Sequence, residues 1–468
     1  MKAYLIMMKK KINLYTERTL KMMCQRSGIE LVLDPSEADL ILVSVDDPDD
    51  LPLVKKANIL AKKREHPIPL IAGGFEGFGG EYLLAYCDAV NVGEGYEFFA
   101  KLGTLKHPED IYDEPYVLTR DKQIVYPSYR IDTESLPLVR TGKRAWYYLA
   151  GRGCRGKCMF CETSYAYPKW HNFPSNLEKA INHVESMHHN LTFITNDSSE
   201  LKGITSSRIV QSVRVDDFIK EPSRFAGANM LHFGIEGWTE EQRKWYAKPI
   251  TNEKIYHLVE LLQEYKQPAE FFFITGLPGT FDLMMEFAQQ MPLRPQPYPR
   301  IFIKLTRLDP SPQTPLWSYD LTKLDLLSRK MVKDFMNELS ARNKGFRIFP
   351  VRGDAKHVFR PILRHCSPDE LPMIGKEPEG NTEQASYFDF IYSQGLGHLI
   401  TYDGRPMASS QIVTPWREMR DRMALSHGMT PINYKSQGAI ILRDFPPFSL
   451  HSAELLEASG PLDQTSVR

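Results

Sequence analysis

Short apolar runs alternate with amphipathic stretches of helical length along the first hundred residues. The run at 38–45 (ADLILVSV) is apolar almost throughout, which is typical of a parallel strand buried on both faces. The same pattern predicts further strands at 2–7, 29–33, 69–72 and 89–92, and helices at 16–27 and 51–64. This alternation predicts a doubly wound parallel sheet over residues 1–105.

Glycines follow two of these predicted strands. Gly73 and Gly74 come directly after the strand at 69–72, and Gly93 and Gly95 follow the strand at 89–92. Ligands of doubly wound sheets bind outside the carboxyl ends of the strands, where glycine lets the backbone approach closely. The sequence therefore predicts a ligand site at this edge of the sheet.

Prolines punctuate residues 106–144, which predicts a linker with little strand. From residue 145 the alternation resumes, and about six β/α units predict a partial or full barrel over 145–320, with its active site at the carboxyl ends of the strands. Strands are predicted at 145–150, 191–195, 211–216, 231–235, 270–275 and 300–308, with helices at 175–188, 239–246 and 252–265.

Residues 321–468 form a C-terminal extension that is predicted to be helical at 321–343 and irregular afterwards. Because it follows the barrel, we expect it to cap the barrel mouth and influence the substrate. The aromatic segment 387–392 fits a core strand better than a pocket wall. Nothing in the sequence brings His357, His365 and Cys366 together.

Charge and cysteine content narrow the class of protein. Acidic and basic residues number 58 each, so no global basic field draws the chain to nucleic acid or anionic lipid. Six cysteines in 468 residues do not form the framework of a small disulfide-rich protein, which favours reduced thiols in the cytoplasm. No apolar stretch approaches the 18 or so residues of a membrane-spanning helix.

Three of the cysteines, Cys154, Cys158 and Cys161, crowd into the segment GRGCRGKCMFC. Thiolates are the preferred ligands of iron–sulfur clusters, and this spacing lets one loop wrap a cuboidal cluster. The glycines permit tight folding, and the basic residues place positive charge beside an anionic cluster. Three thiolates on a four-iron cluster leave one iron open to a small-molecule ligand.

A zinc site is the main alternative interpretation, and it would make the chain a metal-stabilised binding module without catalytic function. The fourth ligand would then be His171 or one of the scattered cysteines, Cys24, Cys87 and Cys366. Structural zinc sites usually show two CxxC-like pairs, and this chain has a single CxxxCxxC motif.

CxxxCxxC on the loop after the first barrel strand, with Phe160 before the last cysteine, resembles the radical S-adenosylmethionine superfamily. The resemblance implies that the open iron chelates S-adenosylmethionine and that one electron cleaves it to a 5′-deoxyadenosyl radical. It also implies a one-electron reductant of the flavodoxin or ferredoxin type.

Further segments resemble that family's motifs in order along the chain, each with departures. Gly234-Ile-Glu236 resembles the strand-end motif whose Glu lies near S-adenosylmethionine, and the turn from Lys248 to Thr251 follows it. The resemblance implies cofactor contacts for Phe160, Arg214, Glu236 and Gly276, and it extends to Asp216 and to the segment 309–316.

The doubly wound domain before the barrel resembles the cobalamin-binding domain of one radical S-adenosylmethionine subgroup. The resemblance implies that Ser44, Gly73 and Gly74 face the nucleotide tail of the corrin, where a side chain at either glycine would intrude. The chain lacks the DxHxxG motif that supplies an axial histidine to cobalt, so bound cobalamin is expected to be base-off without histidine ligation. A degenerate domain that binds nothing is the alternative.

The favoured function is a cobalamin-dependent C-methyltransferase. The alternative is a radical enzyme without cobalamin that performs hydrogen abstraction, rearrangement or oxidation. A methylthiotransferase would carry a second set of three cysteines, which Cys24 and Cys87 do not supply. The substrate, a small molecule or a peptide, is open; nucleic acid and membrane partners are not expected.

Overall fold

The computed structural model describes most of the chain up to residue 429. The described residues are 1–8, 14–122, 124–167, 170–173, 177–197, 201, 212–228, 230–293, 299–325, 327–348, 355–374, 384–401, 412 and 414–429.

The N-terminal region forms a six-stranded sheet in the order β2-β1-β3-β4-β5-β6. Strands β1 to β5 pair in parallel, and β6, which lies within the segment predicted to be a linker, pairs antiparallel with β5. The order 2-1-3-4-5 is that of flavodoxin-like doubly wound sheets, so the predicted parallel α/β arrangement is confirmed. The strands are β1 Lys2–Ile6, β2 Glu30–Leu31, β3 Leu40–Ser44, β4 Leu70–Gly73, β5 Ala89–Asn91 and β6 Val117–Leu118.

Helices cover both faces of this sheet. Helix α1 (Leu14–Arg26) packs beside α3 (Gly95–Leu102), with Leu40 and Leu42 of β3 in their core. Helix α2 (Leu51–Lys62) covers the other face, in the core that holds Ile41 and Val43. All five residues of β3 are buried, which confirms that this apolar run is sandwiched between two layers.

The second half of the chain contributes two further sheets with parallel pairing. One has the order β11-β8-β7, in which β7 is antiparallel; the other, β12-β13-β14-β15, is parallel throughout. The short pair β9–β10 brackets the cysteine loop. The strands are β7 Val139–Arg140, β8 Ala145–Leu149, β9 Gly151–Arg152, β10 His171–Asn172, β11 Asn190–Ile194, β12 Leu231–Glu236, β13 Ala269–Thr275, β14 Ile301–Arg307 and β15 Phe346–Ile348.

Helices alternate with these strands, and a group of C-terminal helices follows β15. They are α4 Thr163–Ala166, α5 Leu177–Ser186, α6 Val215–Lys220, α7 Pro222–Phe225, α8 Glu240–Trp245, α9 Asn252–Glu264, α10 Thr280–Gln290, α11 Arg329–Arg342, α12 Ala355–His365, α13 Leu371–Ile374, α14 Gln384–Ser393, α15 His398–Thr401 and α16 Arg417–Ser426.

The predicted strand at 211–216 is wrong over its described residues. Arg214 instead precedes α6 as its N-cap, and Asp216 and Asp217 occupy the first helical turn. Carboxylates at this position interact favourably with the positive end of the helix dipole, which a strand would not offer. Residue 211 lies outside the described residues, as does residue 175, where the helix predicted at 175–188 begins.

The predicted strand at 387–392 is wrong as well, because these residues lie in α14. Tyr387, Phe388 and Ile391 are buried on one face of that helix, a spacing of helical and not strand period.

Residues from α12, α14 and α15 share a core with the α2 face of the N-terminal sheet, including Phe359, Ile362 and Ile391. Beside that core the two ring nitrogens of His365 each face a main-chain carbonyl, Nδ1 that of Pro361 and Nε2 that of Trp317, and the Cys366 thiol donates to the Ile362 carbonyl. The side chain of His357 lies outside the described residues. In the described part of the chain, no helix has the length and apolar character needed to cross a membrane.

Candidate iron–sulfur and cofactor site

The three cysteines lie on the loop between β9 and α4, with Cys158 buried and the other two partly buried. The Gly156 amide donates to the Cys154 Sγ at 3.3 Å. A Cβ at Gly156 would lie 3.5 Å from the Sγ atoms of both Cys154 and Cys158. The main chain at Gly156 therefore lies in contact distance of two of the three sulfurs.

Burial dominates the acid–base properties of the Cys154 and Cys158 thiols. It raises the pKa of Cys158 to about 12, against a smaller opposing effect of the Lys248 ammonium. Burial also raises the pKa of Cys154. Because a coordinating metal deprotonates a thiol outright, iron would convert these buried thiols into the thiolates that a cluster requires.

Lys157 supplies positive charge beside the sulfurs. Its Nζ donates to the Ser164 carbonyl at 2.7 Å and lies 4.3 Å from the ring centroid of Trp416, which precedes α16. Burial lowers the pKa of Lys157, and the three neighbouring thiols oppose that change. An anionic cluster would favour the charged lysine.

In the described part of the chain, no three His, Cys, Asp or Glu side chains lie close enough together to hold one ion. The scattered cysteines are packed elsewhere: Cys24 belongs to α1 and is buried in the core between α1 and the N-terminal sheet, and the Cys87 and Cys366 thiols donate to main-chain carbonyls of their own segments.

A cavity of about 490 Å³ opens in front of the sulfurs. All three cysteines line it, together with Phe160, Arg214, Asp216 and Glu236 from the predicted set, and with Asp197, Lys248 and Asp309. The structure thus gathers most of the predicted barrel residues at the carboxyl ends of the parallel strands. Gly276 is outside this lining; its carbonyl accepts from the Asp325 amide at 2.8 Å.

Glu236 ends β12 in an uncommon conformation. Its φ is +71°, and the pairing of β12 with β13 shifts register between Gly234 and Glu236. A non-glycine residue in the left-handed region is strained and persists where the surroundings hold it, often at functional sites. The strain turns the carboxylate toward the cavity.

Lys248 is the partner that holds Glu236 in place. The Lys248 Nζ lies 3.0 Å from the Glu236 Oε1. A Cβ at Gly234 would overlap both groups, so this glycine makes room for the ion pair. Burial lowers the pKa of Lys248, but the Glu236 carboxylate and the Cys158 thiol more than reverse this and leave the pKa raised. The sequence identified Lys248 only as the start of a turn.

Arg155 ties the cysteine loop to its surroundings. Its Nε lies 3.0 Å from the Asp197 carboxylate, which follows β11, and its Nη2 lies 2.9 Å from the Asp217 carboxylate in α6. Asp197 is almost fully buried. This bridge fixes the loop against the rim of the cavity.

A second cavity, of about 320 Å³, lies at the carboxyl ends of β3 and β4. Ser44, Gly73 and Gly74 line it, as the sequence predicts for a ligand site at this edge. Its interior runs between the sheet and α1 and α3, where the lining is apolar and includes Leu20, Met23, Leu42, Phe98 and Phe99.

The structure corrects the expectation that a side chain at Gly73 or Gly74 would enter the ligand space. A Cβ at Gly74, whose φ is +120°, would overlap the Val45 carbonyl, and one at Gly73 would lie 3.5 Å from the Asn91 Cβ. Both directions lead into neighbouring strand ends. Gly74 is required because only glycine tolerates this φ and this close approach to Val45.

The wall of the second cavity on the side of the cysteine loop is polar. The Arg152 Nε lies 3.0 Å from the Glu94 Oε1, and the Tyr167 hydroxyl donates to the same oxygen at 2.9 Å. Arg152 belongs to β9, directly before the cysteines, so residues of this loop region line both cavities.

The two cavities adjoin. Asn196, which follows β11, lines both of them. In α4, Thr163 faces the sheet-edge cavity and Ser164 faces the cavity of the cysteines. No sequence signal marked Asn196, because its position follows only from the packing of the two halves of the chain.

Comparison with known proteins finds no matching family model and no matching curated protein. Among solved structures, the radical S-adenosylmethionine methyltransferase TsrM from Kitasatospora setae, with cobalamin and a [4Fe–4S] cluster bound, superposes with a TM-score of 0.54 at 12% identity, over 84% of this chain and 99% of that chain. The cobalamin-dependent S-adenosylmethionine radical enzyme OxsB, with aqua-cobalamin bound, gives 0.45 at 13% identity, over 62% of this chain and 52% of that chain.

The likeness to TsrM concerns the fold. This chain is an α/β protein with parallel sheets and three clustered cysteines at the carboxyl ends of its strands. Its fold is similar to that of TsrM, which agrees at the level of the fold with the resemblance that the sequence motifs carry.

Proposed function

We propose that this chain is a cobalamin-dependent radical S-adenosylmethionine C-methyltransferase. Cys154, Cys158 and Cys161 hold a [4Fe–4S] cluster, the cavity in front of them takes S-adenosylmethionine, and the sheet-edge cavity takes part of a cobalamin. The observation that carries the proposal is the junction of the two cavities at Asn196. Methyl transfer requires such proximity between the two cofactors and the acceptor carbon.

Bound together, these cofactors supply a transferable methyl group and the radical chemistry that activates an unreactive carbon, which side chains cannot supply themselves. The protein's own part is to bind, orient and shield. Three thiolates leave one iron coordination position for the amino-acid end of S-adenosylmethionine. Glu236, held by Lys248, and Arg214 present opposite charges to that zwitterionic end, and Phe160 offers an apolar wall.

The sheet-edge cavity fits the tail of a corrinoid. About 320 Å³ lies at the lower end of the range for small-molecule sites, enough for a nucleotide-sized group and too small for the whole cofactor. Its apolar interior would suit a heteroaromatic base, and Arg152, Glu94 and Tyr167 would offer polar groups to the rest of the corrinoid. Cobalamin bound here would be base-off without histidine ligation, as the missing DxHxxG motif implies.

The proposed cofactor sites and the strand order support a division of the chain into three domains and a linker. Residues 1–105 form the cobalamin-binding domain, 106–144 connect it, 145–320 form most of a partial (β/α)6 barrel, and 321–468 form the extension. The six parallel strands of the barrel are β8, β11, β12, β13, β14 and β15. The last of these strands, Phe346–Ile348, comes from the extension. Reduced thiols and the need for a flavodoxin-type or ferredoxin-type electron donor favour the cytoplasm.

The test is anaerobic reconstitution with iron and sulfide, followed by titration with hydroxocobalamin and incubation with S-adenosylmethionine and a strong reductant. We expect about four irons per chain, saturable corrinoid binding and release of 5′-deoxyadenosine or S-adenosylhomocysteine. Cys158→Ala should lose the iron, whereas the matched variant Cys366→Ala should keep it.

The outcomes separate the alternatives. If the protein takes up iron but shows no saturable corrinoid binding, the methyltransferase proposal is refuted. The function would then be that of a radical enzyme that performs hydrogen abstraction, rearrangement or oxidation. If the protein is colourless and takes up zinc but no iron, we would conclude that it is a metal-stabilised binding module.

A further inference from the structure

We propose that Asn91 and Tyr96 are the polar ligand-recognition groups of the sheet-edge cavity and that they hydrogen-bond to the nucleotide end of the corrinoid. This inference rests on the proposed function and names the residues that would select the ligand.

Asn91 is the last residue of β5, with only 5% of its surface exposed. Its Nδ2 donates to the Gly93 carbonyl at 3.4 Å, which leaves Oδ1 directed elsewhere. Within the described structure, Oδ1 is buried and has no hydrogen-bond partner. Tyr96 lies in the first turn of α3, and its buried hydroxyl likewise has no partner among the described residues.

Both atoms belong to residues that line the same cavity. Other buried polar atoms without partners occur in the described chain, but none of them belongs to another residue of this lining. A buried polar group without a hydrogen bond is costly, and native structures satisfy nearly all of them. A ligand in the cavity would supply the missing partners.

The chemistry of the two atoms limits what that ligand is. An amide oxygen only accepts, so the group opposite Asn91 must carry an N–H or O–H; the Tyr96 hydroxyl can donate or accept. The interior between the sheet and the two helices is otherwise largely apolar, with Leu42, Met23 and Phe98, and the polar wall lies on the side of the cysteine loop. A flat base attached to a hydroxyl-bearing sugar and an amide linker matches this combination, and that is the nucleotide end of cobalamin.

The experiment measures corrinoid affinity and ligand-free stability in the same variants of the full, anaerobically reconstituted chain. Tyr96→Phe removes only the hydroxyl, and we expect its affinity for hydroxocobalamin to fall about two- to tenfold, the effect of one neutral hydrogen bond. Its ligand-free melting temperature should be equal to or above that of the wild type, because the hydroxyl has no partner to lose. Asn91→Leu should weaken binding similarly.

Tyr148→Phe is the matched control. The Tyr148 hydroxyl is also buried without a partner in the described structure, but it does not line the cavity. This variant should share the stability behaviour of Tyr96→Phe and keep wild-type affinity. A second probe, dicyanocobinamide, lacks the nucleotide, so its affinity should be the same in the wild type, Tyr96→Phe and Asn91→Leu.

Two results would overturn the inference alone: unchanged hydroxocobalamin affinity in both variants, or an equal loss for cobinamide, which would place the contacts on the corrin ring. A melting temperature several degrees below wild type in Tyr96→Phe would show that the hydroxyl is structural and overturn it too. Absence of hydroxocobalamin binding by the wild type would instead remove the proposed function and this inference with it.

Discussion

Arg364 forms a buried ion pair that connects distant parts of the chain, and we expect its replacement to destabilise the tertiary structure. From α12, its Nε and Nη2 each lie 2.9 Å from a carboxylate oxygen of Glu76, and its Nη1 lies 3.0 Å from the Asp309 carboxylate. Glu76 follows β4 of the N-terminal sheet, and Asp309 follows β14. One guanidinium therefore joins three parts of the chain.

We expect Arg364→Met to destabilise the protein by about 3–5 kcal/mol, the usual effect of removing one partner of a buried ion pair. The side chains of Glu76 and Arg364 are only 1% and 9% exposed, so water cannot replace the guanidinium. Methionine keeps much of the volume of the stem, so the loss reflects charge and hydrogen bonding and not a cavity.

The loss should depend on pH. Burial raises the pKa of Glu76 above its ordinary 4.5 even in the presence of Arg364, which opposes the shift. Without Arg364 the pKa rises further, so the folded variant retains a proton to higher pH. A raised folded-state pKa contributes stability below the unfolded value that is lost as the pH rises. The deficit of Arg364→Met should therefore be smaller near about pH 5.5 than near about pH 8.

Urea unfolding of the reconstituted protein, followed by tryptophan fluorescence at both pH values, measures this deficit. Arg360→Met is the control: one turn earlier in α12, Arg360 pairs with Asp49, but their side chains are 34% and 43% exposed. Exposed pairs contribute under about 1 kcal/mol. The double variant Glu76→Gln/Arg364→Met should recover part of the loss. A deficit no larger than that of Arg360→Met, or one independent of pH, would refute the reasoning.

Three further predictions concern the cofactors. Alanine at Cys154, Cys158 or Cys161 should abolish iron content and S-adenosylmethionine cleavage, measured by iron analysis and product chromatography. Alanine at the scattered Cys24, Cys87 or Cys366 should preserve both. Glu236→Ala should keep its iron but bind S-adenosylmethionine roughly tenfold to a hundredfold more weakly by equilibrium dialysis, and unchanged affinity would make the Glu236–Lys248 pair structural. Bound Co(II) cobalamin should show no hyperfine splitting from a histidine nitrogen in its electron paramagnetic resonance spectrum, and such a splitting would reveal an axial histidine.

The sequence determined the features that are local along the chain. The apolar run of β3 predicted a strand buried on both faces. A strand covered by helices on both sides has no solvent-facing positions, so its sequence does not alternate between apolar and polar residues. The spacing of Cys154, Cys158 and Cys161 predicted a cluster-binding loop, because residues of one short loop are close together whatever the tertiary fold. Both features lie within a few residues of sequence.

Periodicity alone misplaced two strands. At 387–392 a run of aromatic residues has high strand propensity, but packing against the N-terminal sheet favours a helix that buries Tyr387 and Ile391 on one face. The strand predicted at 211–216 is instead a helix start over its described part, with Asp216 and Asp217 in the first turn of α6. Short segments have weak intrinsic preferences, and the surrounding tertiary contacts decide between them.

Only the tertiary structure revealed the pairing of Lys248 with Glu236, the junction at Arg364 and the position of Asn196 between the two cavities. Arg364 and Glu76 are separated by 288 residues in the sequence. No local pattern encodes such a contact, because it depends on how whole layers pack and on which buried charges must find a partner there. The sequence determined which chemical groups are present, and the packing of the layers decided which of them meet.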